Sequence, residues 1–164
     1  DRPNILYIHS HDSGRYVQPY GYSVPTPNMQ LLADQGTLFR RAFCAAPTCS
    51  GSRAALLTGQ HCHNNGMTGL AHRGWELNDY GQHLVHPLKK AGYRTILVGE
   101  QHISKDPGVI GYDEVRRLDS NLAGLVAPSA LDAMEGAQEP FFMSIGFFET
   151  HRDFAGPTSV RDRL

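Results

Sequence analysis

An α/β fold with a mainly parallel sheet flanked by helices is what this sequence predicts, and two observations predict it. Three short apolar runs, NILYIHS (4–10), YRTILVGE (93–100) and PFFMSIGFF (140–148), alternate with stretches of helical character. Strands that are apolar almost without interruption are buried on both faces, as in parallel sheets covered by helices. The second observation is the pair of polar groups at the end of each run: His11 and Asp12 after the first, Glu100 and His102 after the second, Glu149 and His151 after the third. Sites in such sheets gather beyond the carboxyl ends of the strands, so these polar groups are candidates for function.

After the first strand, HDSGR is a polar turn. TPNMQLLADQG is a helix with Thr26 as N-cap, Pro27 in the first helical position and Gly36 as its stop. TLFRRAFCA (37–45) is expected to be extended. SRAALLTG is a short helix whose opening turn carries Cys49. The stretch HCHNNGMTGLAHRGWELNDYG, rich in Gly, Asn and His, is expected to be a long loop, and long ordered loops in compact domains are often functional. QHLVHPLKKAG is a helix with Pro87 embedded and Gly92 beyond its end, and APSALDAMEG is a weaker helix before the last strand. No internal repeat or low-complexity segment is visible.

Composition narrows the function classes. A chain of 164 residues is the size of one domain and can bury a real core. A formal net charge of −1 argues against nucleic acid and against electrostatic attachment to a membrane. No apolar run reaches the roughly 18 residues of a membrane span, and DRPNILYI does not read as a signal peptide. Three cysteines, Cys44, Cys49 and Cys62, are too few and too odd in number for a disulfide framework.

Four groupings carry chemistry. Cys49 stands at a helix mouth, where unpaired N–H groups and the positive dipole end suit an anion or a thiolate. Arg53, one turn on, shares that face and offers a bidentate fork. A packing cysteine beside a surface arginine is the competing reading. His11 and Asp12 follow a strand directly and can bind a divalent cation, or Asp12 simply caps a turn. His102 and His151 can bind an anion or move a proton, or serve structure alone. His61 and His63 flank Cys62 without a matching second pair, which makes a weak zinc signal. HSHD at 9–12 lacks the Asp-His pair of metallo-β-lactamases, and the H-x-H opening of amidohydrolases needs a longer barrel.

Taken together, the segments resemble the amino-terminal part of a sulfatase of the alkaline phosphatase superfamily. The family signature is C-x-P-S-R, three residues, then L-T-G, and CSGSRAALLTG matches it except at Gly51. RPNILYI, VPTPNMQLLADQGTLFRRAF, NNGM, LKKAGYRTILVGEQH and PFFMSIGFFETHRDF continue the resemblance in register over nearly the whole chain. The run CSGSRAALLTGQHCHNNGM is particularly similar to the heparan N-sulfatase-like branch. The resemblance implies a hydrolase of sulfate esters or sulfamates, on a small sulfated substrate such as a sugar. It implies that a maturation enzyme converts Cys49 to formylglycine, whose aldehyde hydrate attacks sulfur and later releases sulfate. Arg53 would steady that residue. Asp12, with His11 and Cys49, would hold a divalent cation, Ca2+ first with Mg2+ and Mn2+ as others. His102 and His151 would contact sulfate or the leaving group. A periplasmic, secreted or lysosome-like compartment goes with the family.

The departures are specific. His11 replaces the first acidic metal ligand, Glu100 replaces a lysine, Phe148 and Thr150 replace a histidine and a proline, and Gly51 replaces the proline that maturation enzymes read. Phosphate or phosphonate ester hydrolysis, and non-catalytic binding of an anion or glycan, are the alternatives these leave. The family's remaining ligands, an Asp-Asn pair and a lysine, fall beyond residue 164. The chain (1–164) is therefore expected to be the amino-terminal part of a catalytic domain, poor as an enzyme alone.

Overall fold

A computed structural model describes residues 2–152, which fall into two compact units. Among these residues the first contains 2–9 and Cys44–Phe148, the second Ser10–Phe43 and 149–152; the segment from 153 onward lies outside the described residues.

The first unit is built on four strands, β1 (Ile5–His9), β2 (Arg94–Gly99), β3 (Glu114–Arg116) and β4 (Phe141–Gly146), in the order β1-β4-β2-β3 and parallel throughout. His9 pairs with Gly146, and Gly146 with Gly99, so three strands end level at one edge. β4 is buried at all six positions and β2 at four of six, which is why their sequences lack alternation.

Helices cover both faces of this sheet. On one, Ala54 and Leu57 of α2 (Cys49–Thr58) and Val85 of α4 (Val85–Lys90) pack with Met67, Ile103 and Phe142. On the other, Val126, Ala130 and Ala133 of α5 (Ala123–Glu135) lie against Ile96, Val98, Met143 and Ile145. At the level edge, Gly99 adopts a left-handed φ of 79°, and a Cβ there would strike the Gly146 carbonyl oxygen. A Cβ on Gly146 would in turn strike the Glu100 carbonyl oxygen. Only glycine allows this approach.

Several elements differ from the sequence expectation. β3 was invisible because Glu-Val-Arg has no apolar run; it is a short edge strand paired in parallel with β2, with Glu114 bound across to Arg94 at 2.9 Å and along the strand to Arg116 at 2.8 Å. The 61–81 stretch holds a short helix α3 (Cys62–Asn65) and two single 3-10 turns rather than plain loop. α4 begins at Val85, so Pro87 sits in its first turn, where the missing N–H costs no bond. α5 starts four residues earlier than expected and keeps Pro128 inside it, carried by its buried face.

In the second unit, α1 (Pro27–Gln35) has Pro27 at its first position as the sequence predicts, but buries no residue. Thr26 precedes it without a side-chain cap bond: its Oγ1 instead accepts from the Gln18 amide at 3.0 Å. Gly36 is extended (φ −123°), so the helix ends without a left-handed cap. The expectation of an extended 37–45 is corrected: the chain turns at Arg40–Arg41 and forms no strand. Phe39 and Phe43 are 69% and 89% exposed, so no burial offsets the entropy of ordering an extended run there.

Candidate functional site

α2 opens at Cys49 itself. Thr48 is extended (φ −100°, ψ 145°) and its side chain makes no cap bond, so the first N–H groups of the helix have no intrahelical or capping partner. The mouth is anchored in the core: Ser50 and Gly51 are buried, the Ser50 hydroxyl accepts from the Ala71 amide at 3.0 Å, and the Cys62 thiol donates to the Gly51 carbonyl at 3.3 Å. A Cβ at Gly51 would lie 3.1 Å from the Met67 carbonyl oxygen and 3.2 Å from the Ala46 methyl. Glycine at this position therefore belongs to the local packing. Cys49 is half-buried and carries a free thiol.

Arg53 stands one turn along the same face. Its Nη1 lies 2.6 Å from His9 Nδ1. A guanidinium only donates, so His9 accepts at Nδ1 and carries any ring proton of its neutral form on Nε2. Tyr7 stacks near the same ring, at 4.8 Å between centroids; burial pushes its phenol up, partly opposed by the Arg53 charge.

Beyond β2, Glu100 accepts from the Asn121 side-chain amide at 2.8 Å. His102 has a left-handed φ of 53°, rare for a residue with a Cβ. Its Nε2 lies 2.9 Å from His72 Nδ1, the rings almost coplanar at 10°. Glu100, His102, His72, Lys105, Arg117 and Asn121 line a cleft of about 570 Å3, within the range that holds small ligands.

In the second unit, His11 is bound into the 149–151 segment. Its amide donates to the Glu149 carbonyl at 2.8 Å, and its own carbonyl accepts from the Thr150 amide at 2.8 Å and hydroxyl at 2.7 Å. His11 is 2% exposed, with Nδ1 3.2 Å from Asp12 Oδ1. The His151 ring meets the His11 ring edge-on at 4.6 Å. Asp12, like His102, has a left-handed φ, here 54°. One ligand atom from each of His11, Asp12 and His151 lies within 4.8 Å of the other two.

The predicted residues thus divide. Cys49, Arg53 and His102 stand in the first unit; His11, Asp12 and His151 cluster in the second. His151, expected to touch sulfate, stands here beside His11 and Asp12, two of the metal candidates. Sequence reasoning missed His9 and His72. The first was legible as the last residue of a strand, the second only as one more histidine in a His-rich loop. His61 and His63 are exposed while Cys62 is buried, so these three gather no common ligand set.

A parallel sheet with a cysteine and an arginine at a helix mouth, and a cleft at the end of its second strand, defines an α/β protein suited to an anionic ligand. The family model described as Sulfatase matches residues 3–162, and the chain belongs to that family. It is 31% identical over 159 residues to human N-sulphoglucosamine sulphohydrolase, covering 91% of this chain and 32% of that protein. It is 32% identical over 123 residues to an arylsulfatase of Klebsiella aerogenes, covering 69% and 26%. A structure solved with its substrate D-glucosamine-2-N,6-O-disulfate superposes with a TM-score of 0.81 at 25% identity, covering 93% of this chain and 35% of that one. The chain spans about a third or less of the length of these relatives.

Proposed function

We propose that this chain supplies the nucleophile-bearing part of a hydrolase of sulfate esters or sulfamates acting on a sulfated sugar. The observation that carries this reading is Cys49 at the first position of α2 with Arg53 on the same face, inside a matched Sulfatase segment. Cys49 is the residue a maturation enzyme would oxidise to formylglycine, whose aldehyde hydrate supplies a nucleophile with a built-in route for releasing sulfate. The N–H groups at the mouth of α2 face the sulfate oxygens, and Arg53 adds a donor fork held in place by His9. The cleft lined by His72, His102, Glu100 and Lys105 receives the sugar. His102 contacts the sulfate or the leaving group. The compartment is an exported one; among the described residues no helix is long and apolar enough to cross a membrane.

The cation is a separate matter. Calcium takes six to eight oxygen ligands. His11, Asp12 and His151 offer two imidazoles and one carboxylate, and the His11 and Glu149 carbonyls are already engaged in hydrogen bonds. These residues by themselves do not make up a calcium site, and no step is assigned to that ion.

Tandem mass spectrometry of the tryptic peptide Ala42–Arg53, from protein made in its native host, tests the reading. An aldehyde or its hydrate at Cys49, with Cys44 unchanged, is the expected result, together with turnover of a sulfated sugar. A plain thiol at Cys49, with phosphate esters hydrolysed in place of sulfate esters, would overturn it.

A further inference from the structure

We propose that His11, Asp12 and His151 bind one first-row transition metal ion, of the Mn2+ or Zn2+ kind, in preference to Ca2+. Two imidazoles and one carboxylate form the donor set that selects such ions, because imidazole is a poor ligand for hard cations and a good one for borderline ones. The set is nearly assembled: its ligand atoms lie within 4.8 Å of one another. Bonds of about 2.0–2.2 Å place the ligands of a single ion roughly 3–4 Å apart, so rotamer adjustments close the remaining gap.

Three further observations support a built site. His11 and His151 are 140 positions apart in sequence, yet the bonds from His11 to Glu149 and Thr150 fix them side by side. Asp12 holds a left-handed backbone, φ 54°, which is uncommon for a residue with a Cβ and persists where surroundings impose it. The His11 imidazole is 2% exposed and meets the carboxylate of the more exposed Asp12 at 3.2 Å, so one donor is fixed in the interior and another reaches toward solvent, where an ion can enter.

The proposal rests on the hydrolase function and deepens it by naming its metal, but metal content is measured independently of hydrolysis. The test uses the purified protein, stripped with a chelator and dialysed separately against Zn2+, Mn2+, Co2+ and Ca2+, with bound metal counted by mass spectrometry. The expected result is one transition metal ion per chain, visible ligand-field bands with Co2+, and Ca2+ bound at least about ten-fold more weakly. H151A should weaken Zn2+ binding by roughly 10–100-fold, and H11D should shift preference back toward Ca2+. H151N carries the same test should H151A not fold, with circular dichroism as the check on folding. Ca2+ bound as tightly as Zn2+, or Zn2+ affinity unchanged in both His151 variants, would overturn the proposal. Stoichiometric metal without turnover of a sulfated sugar would count against the proposed function and leave this inference standing; turnover with no metal in the protein would do the reverse.

Discussion

The two groups of candidate residues are held in different ways. Cys49 and Arg53 ride on a ten-residue helix whose Ser50, Gly51, Ala54, Ala55 and Leu57 are buried. Their placement is a by-product of the core. His11, Asp12 and His151 belong to no helix or strand; they stand on the direct continuations of β1 and β4 and are fixed by backbone bonds and one left-handed residue. The difference teaches where each group's geometry is vulnerable. The first should respond to core packing. The second should respond to its own ligands and to an ion, with little effect on global stability.

The largest expected effect is chemical. C49A should lower turnover of a sulfated sugar by about 10^3-fold or more, and R53K by roughly 100-fold, with thermal unfolding unchanged in both. A C49A variant that retains activity would break the comparison at its root. Next comes the level strand edge. G146A drives a Cβ into the Glu100 carbonyl, and should cost about 3 kcal/mol in denaturant unfolding. H151N should change that midpoint by less than about 0.5 kcal/mol, and an equal loss in the two would erase the distinction.

A similar loss should appear on acidification. His83 is fully buried, and burial, aided by the neighbouring His86 charge, holds its pKa down from 6.5 to about 4. Because the folded value lies below the unfolded one, the unfolded chain takes up the proton first. The contribution of His83 is complete well above pH 6.5 and falls by roughly 3 kcal/mol as pH drops toward 4. H83L should flatten that limb in urea melts at pH 7 and 4.5. The smallest effect expected is that of G51A, about 1 kcal/mol, since the added methyl meets the Met67 carbonyl at 3.1 Å and must push it aside.

How much of this was legible varies with physical cause. β2 and β4 were readable because burial on both faces leaves an apolar run; β1 carries the same kind of run although Leu6 and Ile8 are exposed, and Pro27 announced α1 because its ring fits best in a first turn. β3 was not readable, since it is three residues long and a single valine between two charges leaves no apolar run. The 37–45 segment misled because two phenylalanines look like strand residues until their exposure is known. Cys49 and Arg53 were legible from spacing along one helix. The company His151 keeps was not, because the pairing of strands 140 residues apart creates it. Nor was the part His9 plays: its place at the end of a strand could be read, but its contact with an arginine 44 positions away could not.

The contact between Arg53 and His9 has a consequence for inherited variation. An arginine cannot surrender its proton, so the ring must be the one to receive. A change at His9 to any residue without an acceptor would leave the cysteine motif intact by every sequence criterion while loosening its arginine. Such a variant would look harmless in an alignment and behave as though Arg53 itself had been altered.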